Sequence, residues 1–167
     1  MEVPRGEVGE IIAKGPNIMQ GYWKMPKETA ESLKNGWFFT GDLGTMDEDG
    51  FITIVDRKKD LILVKGMNVY PREIEEHILN IKGVEAAAVI SIPDEEGDET
   101  ILAYIKKDPD ANITEKDIKA YLKKNIANFK IPKHVYFPNE LPLTTIGKIL
   151  KRRLKEMVIN GEIEGIK

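Results

Sequence analysis

Apolar and polar positions change rhythm near the middle of the chain. Before about residue 57, apolar residues fall in short runs broken by glycine-rich turns; beyond it, helix-spaced runs take turns with strand-like runs. In the first part, Val8 to Ala13 and Trp37 to Thr40 are expected as strands. Phe51 to Val55 alternates as a returning strand after a hairpin turn at Asp47-Glu48-Asp49-Gly50. Gly15-Pro16-Asn17 marks a turn. Pro26 to Leu33 reads as a short helix with proline in its first turn.

In the second part, Leu61-Ile62-Leu63-Val64 is expected as a buried strand from its aliphatic content, followed by a turn at Lys65-Gly66. Pro71 suits a first helical turn, and Ile74, Ile78 and Leu79 then share one apolar face before Gly83 ends the element. Glu85 to Ile92, Ile101 to Lys106 and Val135 to Phe137 are expected strands, and Ile149 to Val158 the last helix. Thr114 with Asp117 three residues on forms a capping signature, after which Ile118, Tyr121, Leu122 and Ile126 keep helical spacing. The acids between Pro93 and Asp98 are expected in a solvated loop. This order, strand-helix-strand-strand-helix-strand, predicts an α+β fold: a small two-layer sandwich of ferredoxin-like type, a sheet of about three strands packed on helices. Such a fold serves many functions and names none.

Composition narrows the classes. A chain of 167 residues can bury a real core, and a net charge of −3 creates no global field toward nucleic acid or anionic lipid. Without cysteine there is no disulfide, thiolate nucleophile or cysteine-based zinc site, which fits a reducing cytosol and a cytoplasmic location. No apolar run approaches a membrane span, and the first residues lack the apolar core of a signal peptide.

Four stretches invite chemistry. Asp56-Arg57-Lys58-Lys59-Asp60 is too polar for a core and too short for a solvated charge run; it reads either as a linker or as a joint with a function. Asp42, after Thr40-Gly41, is either turn chemistry or a carboxylate able to approach a sugar and accept from two hydroxyls. The acids at 47–49 do not make a calcium loop, because Gly50 falls too early and Lys58 stands where the bidentate glutamate belongs. Leu141-Pro142-Leu143-Thr144-Thr145-Ile146-Gly147-Lys148 is a loop that delivers a lysine just before a basic amphipathic helix. It lacks the first glycine of a phosphate-binding loop, yet a compact ammonium there could neutralise charge where a carboxylate meets a phosphate. The basic helix itself is most simply a solvated face, with a lipid or nucleic-acid surface as the lesser alternative. His77 and His134 share no spacing that suggests a metal, and no Ser-His-Asp set assembles.

Taken together, these stretches resemble the adenylate-forming enzymes, in particular the fatty-acid branch of the acyl-CoA synthetases. The resemblance runs through Gly9-Glu10 and Gly21-Tyr22-Trp23, then Asn35-Gly36-Trp37, Thr40-Gly41-Asp42 and Asp56-Arg57-Lys58-Lys59, and finally the proline-to-Gly147-Lys148 motif. It implies that residues 1–57 are the β-rich end of a large AMP-binding domain and residues 58–167 a C-terminal lid domain. By the same resemblance Asp42 and Arg57 hold the adenosine ribose of ATP or AMP, Lys59 is the hinge, and Lys148 is the catalytic lysine of adenylation. Gly66 lies on the pantetheine path of CoA, although a turn needing positive φ explains that glycine equally well. The implied partners are a fatty acid, ATP, CoA and the protein's own N-terminal domain; no nucleic acid is expected, and membrane contact is expected to be peripheral only. Two family segments have no counterpart in this sequence, the Gly/Ser/Thr-rich ATP-phosphate loop and the Tyr-Gly-x-Thr-Glu segment. The chain is therefore expected to be an incomplete ligase, inactive alone, with its magnesium ligands elsewhere. Leu63, where light-emitting and hydroxycinnamate relatives carry lysine, favours the fatty-acid branch. The competing expectation is a stand-alone binding module that keeps the lid fold without catalysis.

Overall fold

A computed structural model describes residues 2–94 and 97–163; Glu95 and Glu96 of the expected acidic loop lie outside the described residues. The chain divides into two compact units, Met1–Lys59 and Asp60–Lys167.

The first unit is one antiparallel sheet with a short helix. Its elements are β1 (Gly9–Ala13), α1 (Pro26–Ser32), β2 (Leu33–Lys34), β3 (Trp37–Met46) and β4 (Ile52–Arg57), with β3 paired to each of the other strands. β3 runs six residues past the expected Thr40, through two glycines that would ordinarily weaken a strand. Gly44 shows why they are tolerated: a Cβ there would sit 2.8 Å from the Thr53 carbonyl oxygen and 2.9 Å from Ile11 Cδ1. Only glycine lets β4 and β1 approach β3 this closely, and the β3/β4 register shifts beside it, between Leu43 and Gly44.

The second unit has the expected α+β class, with a three-stranded sheet packed on helices. Its first pair, β5 (Ile62–Val64) and β6 (Met67–Val69), forms a tight hairpin whose two central residues, Lys65 and Gly66, have φ of 50° and 78°. Both lie in the left-handed region that a two-residue hairpin demands. The strand β5 is not buried throughout: Ile62 is inside but Leu63 is 49% exposed, because a hairpin with one face on the core turns alternate residues outward.

The helix α2 (Pro71–Leu79) leads to β7 (Val84–Pro93), β8 (Glu99–Lys107), α3 (Glu115–Asn125), β9 (His134–Tyr136) and α4 (Lys151–Ile159). The sheet order is β7-β8-β9, with β8/β9 parallel and β7 at one edge. Strand alternation sorts its side chains by face. Ala87, Val89, Ile101, Ala103 and Ile105 pack with Ile74 and Ile78 of α2 and Ile118 and Leu122 of α3. Ala88, Ile90, Leu102 and Tyr104 pack with Leu154 and Val158 of α4. The last helix thus covers the sheet face that the first two leave open. α3 carries the expected capping box between Thr114 and Asp117.

Candidate functional site

In the first unit, cross-strand register brings the two sequence-predicted ribose residues together. Asp42 of β3 faces Arg57 of β4, and Arg57 Nε lies 3.0 Å from Asp42 Oδ1. The local fold supports this pair from both sides. Thr40 Oγ1 donates to the Ile11 carbonyl at 2.7 Å and accepts from the Asp42 N–H at 3.0 Å. Buried Asp56 accepts from the Arg57 N–H at 2.6 Å. Beside the pair, Thr40, Gly41, Arg57, Lys58 and Lys59 line a cavity of about 300 Å³. Gly41 has φ of 73° and nothing within 4 Å of where a Cβ would stand, so its backbone is open to a ligand. Of the three cations, Arg57 is held by Asp42 and Lys58 by Glu10 at 2.7 Å, whereas Lys59 makes no ion pair among the described residues. The cavity therefore offers the Lys59 ammonium to an anion, and the Asp42–Arg57 pair stands beside it.

Lys59 is also the last residue of the first unit and sits within a single 3-10 turn, Lys58–Asp60.

In the second unit, Lys148 lies on the returning arm of a small hairpin. Leu143 and Ile149 form an antiparallel bridge, the Thr144 N–H donates to the Lys148 carbonyl at 2.7 Å, and the Lys148 N–H donates to Thr144 Oγ1 at 3.1 Å. Gly147, with φ of 79°, closes the tip. The last helix begins at Lys151 and not at Ile149, since Ile149 is committed to that bridge and Leu150 donates its N–H to the Pro142 carbonyl. The Lys148 side chain is exposed and makes no ion pair among the described residues, so its charge is available to a ligand. It borders an open groove of about 780 Å³ along the free edge of β7, shared with Glu75, Leu79, Ala87, Leu143 and Lys151.

Gly66 sits at the tip of the β5–β6 hairpin with open space where a Cβ would be. Two carboxylates hold this hairpin: Glu99, which the sequence did not single out, and Asp98, expected only as part of a solvated acidic loop. Glu99 accepts from the Leu63 N–H at 2.7 Å and from Ser91 Oγ at 2.6 Å, and Asp98 accepts from the Lys65 N–H at 3.0 Å. No local pattern announces such contacts, because the partners stand more than thirty residues apart. Among the described residues no group of three or more metal-ligating side chains gathers. These residues do not fit a magnesium site. No helix of the described residues is long and apolar enough to cross a membrane.

The chain is similar to known proteins over most of its length. Residues 73–148 match the AMP-binding enzyme C-terminal domain. A long-chain-fatty-acid–CoA ligase of Escherichia coli O6:H1 is 46% identical over 156 residues, which are 93% of this chain and 28% of that enzyme. A protein of the same description from Bacillus subtilis is 46% identical over 150 residues, 90% of this chain and 27% of the relative. Among solved structures, ATP-bound MatB from Rhodopseudomonas palustris superposes with a TM-score of 0.86 at 42% identity, over 93% of this chain and 31% of that one. The chain thus spans under a third of the length of the relatives it matches.

Proposed function

With residues 73–148 belonging to the AMP-binding enzyme C-terminal domain family, we propose that this chain supplies the ribose grip, the hinge and the adenylation lysine of an ATP-dependent fatty acyl-CoA ligase. The reaction belongs to the longer protein. A fatty-acid carboxylate attacks the α-phosphorus of ATP, pyrophosphate leaves, and the CoA thiol then displaces AMP from the acyl-adenylate. In the first step two anionic groups must meet. A fixed ammonium stabilises the charge that gathers on their oxygens, and Lys148 is of the right kind: compact, exposed and without an ion pair among the described residues.

Asp42 accepts from the ribose hydroxyls with Arg57 holding its other side, and Lys59 turns between the two half-reactions. The tip at Gly66, having no side chain, lets the pantetheine arm pass in the second. The names of the relatives support a fatty acid as the substrate. The observation that carries the reading is Lys148 itself, the last residue of the family match, set on a hairpin arm with its charge unused.

The test is acid-dependent ATP–pyrophosphate exchange by the full-length enzyme that contains this sequence. Lys148→Ala is expected to slow it by about 2.7–4 kcal/mol of lost transition-state stabilisation, the range for a preorganised electrostatic donor. Exchange at the unsubstituted rate would refute the assignment.

A further inference from the structure

Resting on that reading of Lys148, we propose that Glu75 is a positioning residue for the reaction, acting on Lys148 through Lys151. The hairpin that carries Lys148 is held at both ends by apolar packing and, on its second arm, by an ion pair. Its first arm enters from Leu141, which is buried. Its second arm leaves Lys148 through Ile149 and Leu150, and Leu150 is 42% exposed with φ −91° and ψ 79°, neither helix nor strand. Half-buried Ile149 packs against the cluster that also holds Leu141 and Leu154. Apolar packing sets no unique position for the exposed Leu150 or for Lys148 itself, and the ion pair that ties this arm to α2 is made by Lys151, whose Nζ lies 2.7 Å from Glu75 Oε1.

Glu75 is a firm point to tie to. It projects from α2, its side chain is only 14% exposed, and the same oxygen accepts the Val89 N–H of β7 at 2.6 Å. Because β7 is the sheet edge, that N–H has no neighbouring strand on this side, and the carboxylate supplies its acceptor. One carboxylate thus joins helix α2, the edge of the central sheet and the first residue of α4, three residues from Lys148. A largely buried pair with a further hydrogen bond holds its geometry better than a surface ion pair.

The pair also guards the lysine's charge. Glu75, Lys148 and Lys151 border the same groove. With Lys151 seated on Glu75, the Lys148 ammonium has less reason to fold into the groove and is left for the substrate. Removing Lys151 alone would leave a poorly solvated carboxylate within reach of Lys148.

The test has a structural arm and a chemical arm. In the 167-residue chain, Glu75→Gln keeps an acceptor for Val89 but loses the cation. Amide exchange at Lys148 and Leu150 should then quicken by roughly tenfold while Val89 stays protected. In the full-length enzyme, Lys151→Met should slow single-turnover adenylation by about tenfold to a hundredfold, the cost of a misplaced group. Lys151→Arg should restore it, and thioester formation from supplied acyl-adenylate should be unchanged throughout. Glu76→Gln, on the same helix but exposed, should change neither step. The decisive comparison is Lys151→Met made in a Lys148→Ala background: if Glu75 and Lys151 act through Lys148, the second substitution slows adenylation no further. Unchanged exchange at Lys148 and Leu150, an equal fall in both half-reactions, or a full additional loss in the Lys148→Ala background would each overturn the proposal. Should Lys148→Ala leave adenylation untouched, the catalytic assignment falls, and the exchange arm still decides whether Glu75 fixes the hairpin.

Discussion

The two units bury their apolar residues to very different extents. In the first, Leu43 is the one large apolar side chain that is buried among the described residues, and it keeps 8% exposure, while Trp23, Phe51, Ile52 and Ile54 are all about half exposed or more. In the second, both faces of the sheet are packed and side chains such as Ile78, Leu102, Tyr104 and Leu122 have no exposure at all. The accuracy of each candidate site therefore has a different origin. Asp42 and Arg57 are placed by strand register, a glycine-permitted close approach and their own charge pair. The Lys148 and Gly66 hairpins are outgrowths of a close-packed core, tied to it by carboxylates. Packed interiors resist deformation more than a sheet with open surroundings does, so Lys148 stands on the firmer of the two bases.

That contrast can be broken most forcefully at the core. Leu122→Ala opens a cavity between α3 and the sheet and is expected to cost about 2–5 kcal/mol in urea unfolding of the second unit. The same measurement on Leu43→Ala should give a smaller loss, because its surroundings are more open and can relax. Equal losses would contradict the difference in packing. A middle-sized effect is expected at the charge pair: Asp42→Asn removes the anionic acceptor and should weaken AMP binding by about 1.5–3 kcal/mol, the worth of hydrogen bonds to a charged group. Unfolding stability should barely move, and nuclear magnetic resonance titration of the chain should show nucleotide-dependent shifts at residues 40–42 and 57 that the variant lacks.

The smallest effect is set by acid. Asp117 is held below the ordinary aspartate value of 3.8 by hydrogen bonds with Thr114 at the cap of α3. Glu115 is held below the ordinary glutamate value of 4.5 chiefly by its hydrogen bond with Lys119. Both carboxylates are more acidic folded than unfolded, so their contribution is complete above the ordinary values and is lost as pH falls through the lowered ones. Circular dichroism from pH 5 downward should show a modest loss of stability that Thr114→Ala reduces. An increase in stability on acidification would contradict the assignment.

Much of this was legible because the patterns are local. The near-continuous apolar runs within Glu85 to Ile92 and Ile101 to Lys106 mark β7 and β8, strands buried on both faces, and Thr114 with Asp117 marks the start of α3. Proline at Pro71 and glycine at Gly83 bracket α2. The boundary between the two units, after Lys59, falls within the charged cluster at 56–60. What stayed hidden depends on distant partners. Met67 to Val69 is three residues long and is a strand only because β5 lies beside it. The face that α4 covers is decided by packing. Glu75 and Lys151 look like two charges on two amphipathic helices, and nothing within either helix says that they meet.

The central claim is that the second unit presents two separate surfaces, Lys148 for adenylation and Gly66 for thioester formation. Single-turnover kinetics of Lys148→Ala and Gly66→Leu in the full-length enzyme, with each half-reaction followed alone, tests it most directly. Lys148→Ala should lose adenylation by about 10²–10³-fold and still convert supplied acyl-adenylate to thioester at near the normal rate. Gly66→Leu, whose side chain would stand in the open space at the hairpin tip, should form acyl-adenylate normally and fail at the second step. If Lys148→Ala impairs thioester formation as much as adenylation, or if Gly66→Leu slows both steps alike, the two-surface account is wrong.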